Sequence, residues 1–212
     1  MHELSAFFLT ALSAIFIVVD PLGSVPAYVA LTRNQSPPDL RAIAARSSLI
    51  GAGILVFFTF FGGPLFGLFG LKLDAFKAAG GLLLLMTALD MLRGRMSDCK
   101  CSAKEIAHAS NRAMELAITP ISMPLLAGPG AISTVMVLSL QSRGVGGTAA
   151  ILAAIAITFV ATYFVFRGAK SLQERLGAPG LLLLERIMGL LLAAIAVQFI
   201  AYGARGLFTG PL

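Results

Sequence analysis

The residues best suited to chemistry in this chain are one acid and two proline–glycine segments, all set in apolar sequence. Asp20 opens the run Asp20-Pro21-Leu22-Gly23-Ser24-Val25-Pro26-Ala27, and Pro124-Leu125-Leu126-Ala127-Gly128-Pro129-Gly130-Ala131 repeats its spacing. Each segment places a second proline five residues after the first, Pro21 with Pro26 and Pro124 with Pro129. Proline removes a backbone donor and clashes with the preceding turn, so both segments are expected to interrupt a helix. An interrupted helix exposes free carbonyls at the end of its first part and free amides at the start of its second. The carbonyls suit an ammonium group or a cation, and the amides suit a carboxylate. Gly23, Gly128 and Gly130 let a ligand approach the backbone, while Ser24, Ser133 and Thr134 add hydroxyls close by.

Asp20 is the one acid well inside an apolar stretch. A carboxylate there is costly, which makes it a functional candidate: a partner for a substrate ammonium, a cation ligand or a proton carrier. It is equally suited to cap the helix that follows Pro21. Its counterpart in the second segment is Met123, so an interruption of this kind does not by itself require an acid. Kinks that serve only helix packing are the plain alternative for both segments.

The elements that must hold these segments are membrane spans. The chain has 212 residues, of which 58% are hydrophobic and 12% charged. Soluble domains carry about a quarter charged residues, so the composition is that of a membrane protein. Six apolar stretches, at 4–31, 46–69, 74–92, 117–140, 148–167 and 184–204, approach the ~20 residues needed to cross the hydrocarbon layer. Ser36-Pro37-Pro38-Asp39 reads as a helix start ahead of the second stretch, and Gly62-Gly63-Pro64 as a bend near its far end. Gly177-Ala178-Pro179-Gly180 reads as a turn before the sixth. The expected fold is an all-α membrane protein of six transmembrane helices, with the first helix of each half broken.

The two segments lie 103 residues apart, close to half the chain, and Lys77-Ala78-Ala79-Gly80 aligns with Arg186-Ile187-Met188-Gly189 at an offset of 109. Three spans per half make the second half enter from the opposite side, giving an inverted 3+3 repeat, a common build of secondary transporters. Residues 1–92 form the first repeat, 93–116 a connecting loop and 117–212 the second repeat.

Basic residues set the orientation. Twelve lie on the side of the long loop: Arg33, Arg41, Arg46, Arg93, Arg95, Lys100, Lys104, Arg112, Arg167, Lys170, Arg175 and Arg186. The other side has four: Lys72, Lys77, Arg143 and Arg205. The excess of positive charge places the loop in the cytoplasm and both termini outside. This distribution reads as orientation, so the net charge of +6 does not imply a nucleic-acid partner.

The remaining polar groups have ordinary readings. Gly80, Gly81 and Gly189 suit close helix packing, Gln198 an interhelical hydrogen bond, and Tyr28 an interfacial anchor. Asp90 and Glu185 are read as helix-end groups paired with Arg93 or Arg186. Cys99 and Cys101 read as free thiols of a reducing compartment. They form no metal site of standard spacing with His108. No nucleotide-binding loop of the G-x-x-x-x-G-K-[ST] type and no catalytic constellation occurs, so no enzyme activity and no bound cofactor are expected.

Three stretches resemble the MarC family. They are Asp20-Pro21-Leu22-Gly23 with Pro26, the run from Thr119-Pro120 through Pro124 to Thr134, and Arg186 through Ile200; Phe76 through Leu84 also fits. The resemblance implies a six-span protein of the bacterial inner membrane and a transporter of small neutral amino acids such as glycine or alanine. A cation gradient, Na+ or H+, would drive it. Asp20, Pro21, Gly23, Ser24, Pro26, Pro124, Gly128, Pro129, Gly130, Ser133 and Thr134 are then the expected substrate contacts, with Asp20 the candidate for the coupling ion. The expected partners are the lipid bilayer and the amino acid, with a homo-oligomer left open. A non-transporting membrane scaffold and an inorganic-cation transporter using Asp20 are the alternatives.

Overall fold

The computed structural model describes residues 2–32, 35–70, 72–94, 121–142 and 144–209. The connecting loop beyond Gly94, with Cys99, Cys101 and His108, and the pair Thr119-Pro120 lie outside the described residues.

Every regular element among the described residues is helical. In chain order they are α1 (His2–Val19), α2 (Val25–Leu31), α3 (Pro37–Phe69), α4 (Leu73–Leu92), a π-helical segment (Ile121–Leu126), α5 (Pro129–Gln141), α6 (Gly144–Arg167) and α7 (Ala169–Thr209). Four segments are long and apolar enough to cross a membrane: α3, α4, α6 and the Pro179–Phe208 part of α7. The first and fourth apolar stretches, expected as broken spans, hold shorter helices. α1 and α5 are shorter apolar helices, preceded or followed by turns at the two proline–glycine segments.

Local chemistry sets most boundaries. Ser36 is extended (φ −72°, ψ 157°), its hydroxyl donates to Asp39, and Pro37 starts α3. That helix runs 33 residues, longer than the ~20 that cross the hydrocarbon core. Pro64 sits inside α3 without ending it, and the helix stops at Gly70 in the left-handed conformation (φ 62°). α7 leaves helical geometry at Gly177 (φ 63°, ψ 177°), the turn expected before the last span.

α4 and α7 lie antiparallel in close contact along glycines. A Cβ on Gly81 would come 2.8 Å from Ala196 O and Ile200 N, and one on Gly189 would come 3.1 Å from Ala88 O and 3.2 Å from Leu92 N. At the other end, one on Gly203 would meet Asp74 O at 2.6 Å. Without a hydrophobic drive between helices in lipid, such close backbone approach is what holds a pair together. α1 packs on α6, α5 on α3, and α3 on α6, enclosing a core that includes Ile15, Leu55, Met136, Ile151 and Ile155. Large apolar side chains such as Leu49, Phe57, Leu82, Leu183 and Leu190 are exposed around the outside, as a lipid-facing surface requires.

The polar side chains of Tyr28 and Gln198 depart from their sequence reading. Tyr28 is 2% exposed, too buried for an interfacial anchor. Its ring stacks on Phe166 (centroids 4.3 Å apart) and its hydroxyl donates to Leu40 O at 2.8 Å. It therefore ties α2 to the start of α3 and the end of α6. Gln198 is exposed on α7 and points away from the protein interior.

Candidate functional site

The two proline–glycine segments share a motif but fold differently. In the first, α1 ends at Val19 and Asp20 takes a left-handed conformation (φ 47°). That conformation costs a side chain about 1–2 kcal/mol, least for Asn and Asp, whose short polar groups bond locally. Asp20 does so: its Oδ1 accepts the Gly23 N–H at 2.9 Å, and its backbone carbonyl accepts the Ser24 N–H at 3.1 Å. Val25 N–H donates to Leu22 O, and Pro26 has no N–H to leave free. The Gly23, Ser24 and Val25 amides are therefore taken within the turn, so Gly23 and Ser24, one of the two places expected to offer amides to a ligand, have none free.

What this turn leaves open is an acceptor. Asp20 is 6% exposed, and its Oδ2 is buried with no hydrogen-bond partner among the described residues. Pro21, Gly23, Ser24 and Pro26 are buried around it. The carboxylate lies over Gly23, where a Cβ would collide with Oδ2 and come within 2.6 Å of Met91 Cε from α4. Capping and a free carboxylate oxygen, alternatives in the sequence, here belong to the two oxygens of one side chain. Gly23→Ala is expected to push the carboxylate out of this position and lower the melting temperature while the helices persist, as read by thermal melting and circular dichroism.

The second segment leaves open the complement. Pro124 falls in the π-helical turn, where Ala127 N–H donates to Ser122 O, so the wide turn carries the chain through the proline without unwinding there. The interruption comes at Ala127–Gly128. Gly128 is extended (φ −73°, ψ 171°) and heads α5 with no side-chain cap, with Pro129 at the first turn. The first amide bonded within the helix is Ile132 N–H, to Gly128 O. Helix geometry leaves the Gly130 and Ala131 N–H groups without an intrahelical acceptor, at the end where the helix dipole is positive. Ser133 and Thr134 turn their hydroxyls back to Pro129 O (2.7 Å) and Gly130 O (2.9 Å), so neither points at a ligand.

α4 brings the two segments together. Gly130 packs under Leu84, Gly80 against Ser133, and Gly23 under Met91. Leu84 and Met91 stand two turns apart, about 10 Å along the helix. A buried acceptor and a pair of donor amides thus open against the same helix. Leu84 and Met91 were not singled out in the sequence, where nothing separates them from the other apolar residues of α4. Glu185, read as a helix-end group, is completely buried in α7. No group of three or more metal-ligating side chains occurs among the described residues.

Long apolar helices whose large side chains face outward define a multi-pass integral membrane protein. The sequence model described as "MarC family integral membrane protein" matches residues 4–208, and the chain belongs to that family. It is similar to UPF0056 membrane proteins across most of their length. That of Methanocaldococcus jannaschii is 39% identical over 200 residues (94% of this chain, 97% of the relative). That of Aquifex aeolicus is 36% identical over 207 residues (98% and 96%), and YvbG of Bacillus subtilis 32% over 203 (96% of each). No solved structure matches the chain.

Proposed function

We propose that the protein is a secondary transporter of small neutral amino acids, with glycine and alanine the first candidates. The observation that carries this reading is the complementarity of the two segments. A buried carboxylate oxygen without a partner and two uncapped helix amides lie along one face of α4. The ammonium of the substrate meets Asp20 Oδ2, and its carboxylate meets the Gly130 and Ala131 amides. Leu84 and Met91 fill the space beside the glycines, so a substrate with a small side chain fits best.

The architecture in this proposal is six spans in an inverted 3+3 repeat, α1–α2 and the π segment–α5 being the interrupted first members. The α4–α7 seam supports it. Gly81 of α4 abuts residues 196–200 of α7, and Gly189 of α7 abuts residues 88–92 of α4. At the repeat offset of 109 these are corresponding turns, the reciprocity expected about a two-fold axis. Alternation of access follows from one half rocking against the other, driven by Na+ or H+. The basic-rich ends of α3, α4 and α6 are placed in the cytoplasm.

Uptake of labelled glycine, alanine and sodium into liposomes holding the purified protein tests the reading. Glycine or alanine uptake that depends on a sodium or proton gradient is the expected result. Sodium flux without amino-acid uptake would instead assign Asp20 to an inorganic cation, and no flux of any of them would favour a scaffold.

A further inference from the structure

We infer that the protein binds the phosphate of an anionic phospholipid between Arg93 and Arg186, on the outer side of the α4–α7 seam. The register of the seam brings these residues to one level. A Cβ on Gly189 would meet Met91 Cβ, Ala88 O and Leu92 N, and one on Gly94 would meet Leu182 Cδ1. Arg93, between Met91 and Gly94 on α4, therefore stands opposite Arg186, between Leu182 and Gly189 on the antiparallel α7.

Their faces agree as well. At about 100° per residue, Arg93 continues the exposed stripe of Leu82, Met86 and Leu89 on α4, and Arg186 lies on the exposed side with Leu183, Ile187 and Leu190 on α7. Both stripes border the seam on the side away from Gly80, Leu84 and Met91, the buried face of α4. Packed helices lie about 8–10 Å apart, so two arginine side chains rising from facing positions reach a single group between them.

Both arginines are exposed, and neither makes an ion pair or a side-chain hydrogen bond among the described residues. Asp90, one turn before Arg93 and half-buried, forms no ion pair with either. Two planar guanidiniums on neighbouring helices match the oxygens of one phosphate. The exposed leucines and Met86 below them match acyl chains, which selects a lipid headgroup over a free anion. Arg175, on the short helical part before the bend at Gly177, is exposed and adds charge on the same side. This inference does not depend on what the protein transports.

The test is binding of fluorescent phosphatidylglycerol and phosphatidylcholine to delipidated full-length protein in detergent. Wild type is compared with R93Q/R186Q and with the charge-matched R167Q/K170Q. The wild type should prefer phosphatidylglycerol by at least about fivefold, a preference read without any variant. R93Q/R186Q should lose about tenfold or more in phosphatidylglycerol affinity, R167Q/K170Q less than about twofold, and a large excess of inorganic phosphate should leave the lipid bound. Equal affinity of the wild type for both lipids, equal losses in both double variants, or displacement by inorganic phosphate would each overturn the inference.

Discussion

Asp20→Asn is expected to leave the fold intact and to weaken amino-acid binding by about 10–100-fold. Asparagine keeps the Oδ1 acceptor that holds the Gly23 amide, and it tolerates the left-handed backbone at φ 47° as well as aspartate does. What it removes is the negative charge at Oδ2, the buried oxygen that has no partner. A hydrogen bond to a charged group contributes about 1.5–3 kcal/mol, which converts to that range of affinity. Asp20→Ala removes the cap as well, so it should lose both binding and thermal stability. The contrast separates the two roles of the side chain: Asn with a near-native melting temperature and weak binding, Ala with both lowered. If Asn bound glycine as tightly as wild type, the charge would have no part in recognition.

Gly203→Ala is the substitution expected to damage the fold most for the least change in chemistry. Its Cβ would stand 2.6 Å from Asp74 O, and the obstruction is backbone, which cannot rotate away. Either α4 and α7 separate or one of them bends, at a cost of about 1–3 kcal/mol by analogy with overpacked cores. Gly53→Ala on α3 is the control, because nothing lies within 4 Å of the new methyl group. There alanine should be neutral or stabilise the helix by up to about 1 kcal/mol. Melting of the purified variants in one detergent checks the pair. Equal behaviour of the two would mean that the seam does not depend on close backbone approach.

Much of this architecture was legible because lipid leaves few options. Prolines at Pro37, Pro38 and Pro129, an extended Ser36 and the Gly177 turn mark element boundaries through backbone restrictions that tertiary context does not override. The seam glycines Gly81 and Gly189 were legible as packing positions for the same reason. The sequence could not show how each interruption would be resolved. Identical Pro-x4-Pro spacing produced a tight turn at Asp20 and a π-helical turn at Pro124; the first has a carboxylate that holds the Gly23 amide, and the second has Met123 in that place. Of the two places where free amides were expected, Gly23 and Ser24 have theirs bonded, and the second segment leaves Gly130 and Ala131 without an intrahelical acceptor. Burial of Tyr28 and Glu185 was equally hidden, since whether a polar residue near a helix end meets water or a neighbour depends on which elements pack beside it. Met91 and Leu84 look like any other apolar residues of a leucine-rich helix until the glycines beneath them are in place.

The central claim is that one small zwitterion bridges Asp20 and the head of α5. A thermal-shift titration with glycine, alanine, acetate and glycinamide tests it most directly, because a ligand that binds the native state raises its melting temperature. Glycine and alanine, which carry both charges, should stabilise the wild type and lose that effect in Asp20→Asn. Acetate lacks the ammonium and glycinamide the carboxylate, so neither should match them. Equal stabilisation by either half-ligand, or none by the amino acids at any concentration, would contradict the account.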